Sequence, residues 1–140
     1  MENVLKSQHI GRLGCYDGHH PYVVPITYFY NGDSLICQSQ EGKKLSILRK
    51  HPKICFQVDI VNSTQNWQSV QVFGDFEELK ESDADKAREE LFGSVLNLMT
   101  TSKSHRFEHE SDDKMDDSNR IKQIMFKINI REFAGRFEKQ

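Results

Sequence analysis

Short apolar runs of period two, cut by turn residues, constrain this chain more than any other feature. Ile54, Phe56, Val58 and Ile60 alternate with Cys55, Gln57 and Asp59. Ile124, Phe126, Ile128 and Ile130 alternate with Met125, Lys127 and Asn129. Successive side chains of a strand point to opposite faces, so each run offers one face to a core and one to solvent. Short strands of this kind, joined mostly by hairpins, predict an antiparallel barrel or sandwich with helices packed outside it.

The remaining segments fill in that outline. Met1–His9 carries a weak signal for a short helix, and strand character begins at Ile10. Asp17-Gly18-His19-His20-Pro21 is turn chemistry. Tyr22–Tyr30 is a strand with Val24, Ile26, Tyr28 and Tyr30 on one face, and Pro25 inside it implies an edge or a bulge. Asn31-Gly32-Asp33 marks a hairpin that returns as Ser34–Ser39. Gln40-Glu41-Gly42 breaks the strand, and Lys43–Lys50 is a short helix stopped by His51-Pro52. Strands follow over Lys53–Val61 and Trp67–Leu79, with Gly74 a bulge or a point of close approach. Ser82 or Asp83 caps a helix to about Met99, on which Ala84, Ala87, Leu91, Val95 and Leu98 share a face. Thr100–Asn119 is polar and charged and is expected to be a loop or insertion (100–119). Arg120–Phe133 closes the chain as a strand. The expected architecture is therefore one mainly β domain over 1–140, with six strands and two main helices.

Composition removes several functions. The 21 acids outnumber the 19 bases in these 140 residues, whereas nucleic acid recruits strongly basic faces. No apolar run approaches the roughly 20 residues of a membrane span. Met1–Lys6 lacks the apolar core of a secretory signal. Cys15, Cys37 and Cys55 are odd in number, widely spaced and without a C-x-x-C pair. They are expected to be buried, reduced thiols of a cytoplasmic protein. His105 and His109 are four apart in a polar stretch, and no metal site is expected there or elsewhere.

Three segments carry possible chemistry. Ser39-Gln40-Glu41-Gly42-Lys43-Lys44 runs from strand end to helix start. Two cations at a helix N-terminus oppose the dipole of an isolated helix and make sense beside an anion such as a phosphate. The plainer alternative is two solvated lysines on a mobile turn. Trp67-Gln68-Ser69-Val70 opens a long strand with the single tryptophan, which fits either a planar ligand or a barrel rim. Pro25-Ile26-Thr27-Tyr28 is a kinked strand whose neighbouring backbone groups are free for a ligand, or an ordinary edge. No catalytic triad, paired-carboxylate motif, Walker loop or Rossmann glycine signature is present.

Taken in order, Ile10-Gly11-Arg12-Leu13-Gly14, Pro21–Tyr28, Gly42-Lys43-Lys44, Val58-Asp59 and Trp67–Gly74 give the chain a family resemblance. It resembles the pyridoxamine 5′-phosphate oxidase-like flavin-binding proteins, nearest the nitroimidazole-resistance (Nim)-like branch. The resemblance implies a six-stranded antiparallel split β-barrel with flanking helices, forming a homodimer with FMN at the interface. Pro25, Ile26, Thr27 and Tyr28 would line the isoalloxazine edge, partly through backbone groups. Ser39, Lys43 and Lys44 would hold the phosphate, and Trp67, Ser69 and Val70 would complete the pocket. The implied activity is an oxidoreductase passing electrons from a reduced nicotinamide through FMN to a small acceptor. The alternative is a flavin or haem store, for which His105 and His109 are available. Many Nim-like members carry an active-site histidine where this chain has Gln38, which argues against nitro reduction. Arg131 and Arg136 alone do not supply the C-terminal substrate pattern of pyridoxamine phosphate oxidation.

Overall fold

Every alternating run becomes a strand in the computed structural model, which describes residues 2–102 and 123–139. The order is α1 (Glu2–Ser7), β1 (Ile10–Tyr16), β2 (Pro21–Tyr30), β3 (Ser34–Ser39), α2 (Lys43–Lys50), β4 (Lys53–Ser63), β5 (Asn66–Glu78), α3 (Glu81–Ser102) and β6 (Ile124–Lys139). The strands close into one antiparallel barrel in the order β1-β2-β3-β6-β5-β4. The mainly β, six-stranded expectation holds.

The inward residues are those the alternation selects. Leu13, Ile26, Tyr28, Leu35, Ile54, Phe56, Val58, Val70, Phe126 and Ile128 form the core with Leu45 and Leu48 of α2. Tyr28 and Phe56 meet edge to face at 5.2 Å, a favoured aromatic geometry. The Tyr28 hydroxyl, fully buried, donates to the Leu5 carbonyl at 2.7 Å. That bond fastens α1 to the barrel, and Val4 and Leu5 are buried with it. The weak N-terminal helix signal therefore marks a genuine third helix.

Outside the barrel, α3 lays Ala84, Ala87 and Leu91 on Ile36 of β3 and Met125 of β6. Burying Leu91 there contributes roughly 1.5–3 kcal/mol. The helix begins at Glu81, before the expected cap at Ser82 or Asp83, because Glu81 itself makes the turn out of β5 in the left-handed region (φ 55°). The side chain of Leu98 and residues 103–119 of the expected polar segment lie outside the described residues, as do His105 and His109. Residues 100–102 belong to α3.

Two strand ends also differ from expectation. β6 continues to Lys139 instead of stopping at Phe133, because β5 offers partners along that whole length, from Glu78↔Phe126 to Asn66↔Lys139. Cys15 and Cys37 are buried, but Cys55 is half-buried, since its position on β4 points outward between Ile54 and Phe56. Asn31 forms the expected β2–β3 turn, its side-chain oxygen accepting the Asp33 and Ser34 amides at 2.9 and 2.8 Å.

Gly74 serves both purposes the sequence suggests. The β5–β6 register shifts between Phe73 and Gly74, and a Cβ at Gly74 would lie 2.3 Å from the Asn129 carbonyl oxygen. Gly93, in the interior of α3, has open space around it. Gly74→Ala is expected to lose about 1–3 kcal/mol in urea denaturation, as overpacked sites do. Gly93→Ala is expected to gain up to about 1 kcal/mol from helix propensity. An unchanged midpoint for Gly74→Ala contradicts the close approach.

Candidate functional site

β2 is ten residues long and β3 is six. β1 pairs with β2 over Pro21–Thr27, whereas β3 pairs with it only over Tyr28–Tyr30. The first part of β2 is therefore an edge on the side away from β1, the kind of position that tolerates Pro25. At Ser39 the chain leaves the sheet and turns into α2.

That turn places charge beside the open edge. Ser39 is buried, and its hydroxyl donates to the Gln40 carbonyl at 3.0 Å. The Lys44 ammonium donates to the same Ser39 oxygen at 2.9 Å. Lys43 is exposed, with its ammonium 5.4 Å from the centre of the Tyr22 ring on β2, a cation–π contact. Gly42 caps α2 without a side-chain hydrogen bond, and the first turn holds no acid. Free amides and the positive dipole end therefore reinforce the lysines.

The nearest acid in the segment is turned to another use. Arg49 clamps both oxygens of Glu41, at 2.7 and 3.0 Å, and donates to Glu78 at 2.9 Å. The guanidinium hydrogen bonds hold the Glu41 carboxyl below its ordinary pKa and raise that of Arg49. Among the described residues no carboxylate comes within 4.0 Å of Lys43 or Lys44. Burial lowers the pKa of Lys44, partly offset by Cys37 and Cys15. Burial likewise pushes the Cys37 and Cys15 thiols up, so neither is a ready thiolate.

The structure divides the sequence-predicted residues into two groups. Ser39, Lys43 and Lys44 gather at the turn beside the β2 edge that carries Pro25, Ile26, Thr27 and Tyr28. Pro25 is exposed and Thr27 half-buried, while Ile26 and Tyr28 point into the core. Those two have only backbone groups to offer a ligand. Trp67, Ser69 and Val70 lie on β5, which the barrel order separates from β2 by two strands on either side. Val70 is a core residue. Trp67 donates to Glu138 at 3.2 Å and lines a cleft of about 280 Å³ with Phe137. Tyr22 is the residue sequence reasoning missed; no spacing signal links it to Lys43. Among the described residues no group of three or more His, Cys, Asp or Glu is placed to hold a metal. No described helix is long and apolar enough to cross a membrane.

Comparison with known proteins matches residues 1–136 to the family described as pyridoxamine 5′-phosphate oxidase. An uncharacterized protein of Rhizobium meliloti is 37% identical over 78 residues, 56% of this chain. That aligned part spans about half, 52%, of the relative's own length. The crystal structure of an FAD-binding protein from Mesorhizobium loti superposes with a TM-score of 0.71 at 28% identity, covering 99% of this chain and 91% of that one. A protein from Bacteroides thetaiotaomicron described as a 5-nitroimidazole antibiotic resistance protein superposes with a TM-score of 0.64 at 15% identity, covering 96% and 80%. The likeness to the Bacteroides protein is one of fold.

A half-buried ammonium without a counter-charge opposes folding. Because burial lowers the pKa of Lys44 below its ordinary 10.5, the unfolded chain binds more protons between those two values. Stability then rises with pH through that window, and the penalty is fully present below it. Ligand-free Lys44→Met is therefore expected to melt no lower than wild type at neutral pH, with any advantage shrinking as the pH nears 10.5. A loss of stability at neutral pH that pH does not alter contradicts this.

Proposed function

We propose a flavin-binding function from one premise: the chain belongs to the pyridoxamine 5′-phosphate oxidase family. The observation that carries the proposal is the Lys43–Lys44 pair, set at a helix start without a side-chain cap beside a free strand edge, with Glu41 held by Arg49. This donor set fits the phosphate end of a flavin nucleotide, for which FMN is the smallest candidate. The FAD-binding relative from Mesorhizobium loti supports a flavin as the ligand.

Lys43, Lys44 and the Ser39 hydroxyl would hold the phosphate. The backbone of Pro25–Tyr28, with the outward Thr27 side chain, would line the ring edge. Trp67 and Ser69 sit on the far side of the barrel. They reach such a site only from a second copy, which is the support for a homodimer with the flavin between subunits. The flavin supplies electron and hydride transfer between a reduced nicotinamide and a small acceptor. The protein's part would be to bind, orient and shield: the lysines would neutralise the phosphate, and backbone groups of the β2 edge would face the ring. Free Cys15, Cys37 and Cys55 suit a reducing, cytoplasmic setting.

Titration of the ligand-free protein with FMN, followed by flavin fluorescence, tests the phosphate site. Replacing Lys43 and Lys44 together by alanine is expected to weaken binding at least tenfold, about 1.4 kcal/mol. Unchanged affinity makes them a solvated surface pair. Reduced nicotinamide added without oxygen is expected to bleach the bound flavin; a flavin that stays oxidised identifies a store instead of an oxidoreductase.

A further inference from the structure

The last part of β6 has a bare edge. β3 pairs with β6 only over Ile124–Asn129. Beyond Asn129, β6 continues to Lys139 with β5 as its only neighbour among the described strands. Arg131, Glu132 and the run from Ala134 to Glu138 are exposed, and Phe137 is 76% exposed. A free edge is a template for another strand unless proline, a bulge or repelling charge blocks it. From Glu132 onward the sequence holds no proline, and the pairing with β5 shows no shift in register.

The charges on this edge have both signs. Glu132 and Arg136 lie four residues apart on the outward face, on either side of Ala134. Across the sheet they face Phe73 and Ser69 of β5, which carry no charge. Among the described residues neither has an opposite charge within 4.0 Å. A strand whose acid and base stand symmetrically about one residue is complementary to its own antiparallel copy.

We propose that this edge docks the same edge of a second copy, antiparallel and centred on Ala134. Glu132 then faces the partner's Arg136, and two-fold symmetry makes that pair twice. On the core side Phe133 comes opposite the partner's Gly135, also twice, so that an aromatic ring covers a bare stretch of backbone. Other registers lose this match. Centring on Gly135 sets Glu132 against the partner's Glu138, and centring on Phe133 sets Glu132 against the partner's Ala134. A shift between these centres opposes outward residues to inward ones. The contact goes beyond the flavin reading and does not rest on it, since β6 supplies every group.

Sedimentation equilibrium of the ligand-free protein tests the contact. Wild type is expected to be a dimer. Glu132→Arg and Arg136→Glu each set like charges face to face twice, and each is expected to raise the dimer dissociation constant about tenfold or more. The double variant, Glu132→Arg with Arg136→Glu, restores opposite charges and is expected to return to about the wild-type value. Thermal melts by circular dichroism check that all three variants are folded. The swap also keeps the test valid if one single variant folds poorly, because the other single and the double still give the comparison. A monomeric wild type overturns the proposal. So do single variants that dimerise as wild type does, which place the second copy on another surface, and so does a double variant no better than the singles.

Discussion

The site depends on β3 parting early from β2. β3 pairs with β2 only over Tyr28–Tyr30 and at Gln38 and Ser39 pairs with β6 alone, so most of the ten-residue β2 is left without a neighbour on that side. In a sheet, an uncovered edge is a row of unsatisfied hydrogen-bonding groups and a liability. Here the chain turns at Gln40-Glu41-Gly42 and brings the positive end of α2 beside that edge. Free amides, two ammonium groups and an unpartnered strand come together because β3 leaves β2 and turns into α2. Arg49 holds the turn in place by gripping Glu41 on one side and Glu78 of β5 on the other.

The rest of the barrel makes this opening tolerable. Tyr28, Phe56, Phe126 and the aliphatic residues around them fill the interior, and α1 is tied to it through the Tyr28–Leu5 bond. A well-packed scaffold can carry a locally unfavourable feature such as Lys44, a half-buried ammonium whose partner among the described residues is the Ser39 hydroxyl. Local departures of this kind concentrate at functional sites. The Glu41–Arg49 pair acts in the same sense. It engages the Glu41 carboxylate, which lies two residues before Lys43 in the same turn.

Much of this was legible in the residue pattern. Period-two alternation identified the strands and their inward faces because the pleat has the same period. Gly74 stood out inside an apolar run, and both the register shift and the close approach are found there. Lys43 and Lys44 were conspicuous because cations at a helix start oppose its dipole. Other features depend on contacts that spacing does not encode. Tyr22 meets Lys43 only after the β2–β3 hairpin and the turn have formed. The barrel order that puts Trp67 far from Lys43 is a matter of strand pairing, invisible in either segment alone. The end of β6 was missed because Ala134-Gly135-Arg136 breaks the alternation, and only the length of β5 keeps the strand going. The turn at Glu81 was missed because a non-glycine residue there adopts a positive φ.

Backbone hydrogen exchange at the open edge tests the central claim most directly. Amides of Tyr22–Thr27 that face away from β1, with those of Lys43–Leu45, are expected to exchange quickly in the ligand-free protein. With saturating flavin they are expected to slow, while the β4–β5 ladder stays as it was. Flavin that binds while these amides keep their rates, with protection appearing elsewhere, contradicts a site built on the uncovered half of β2.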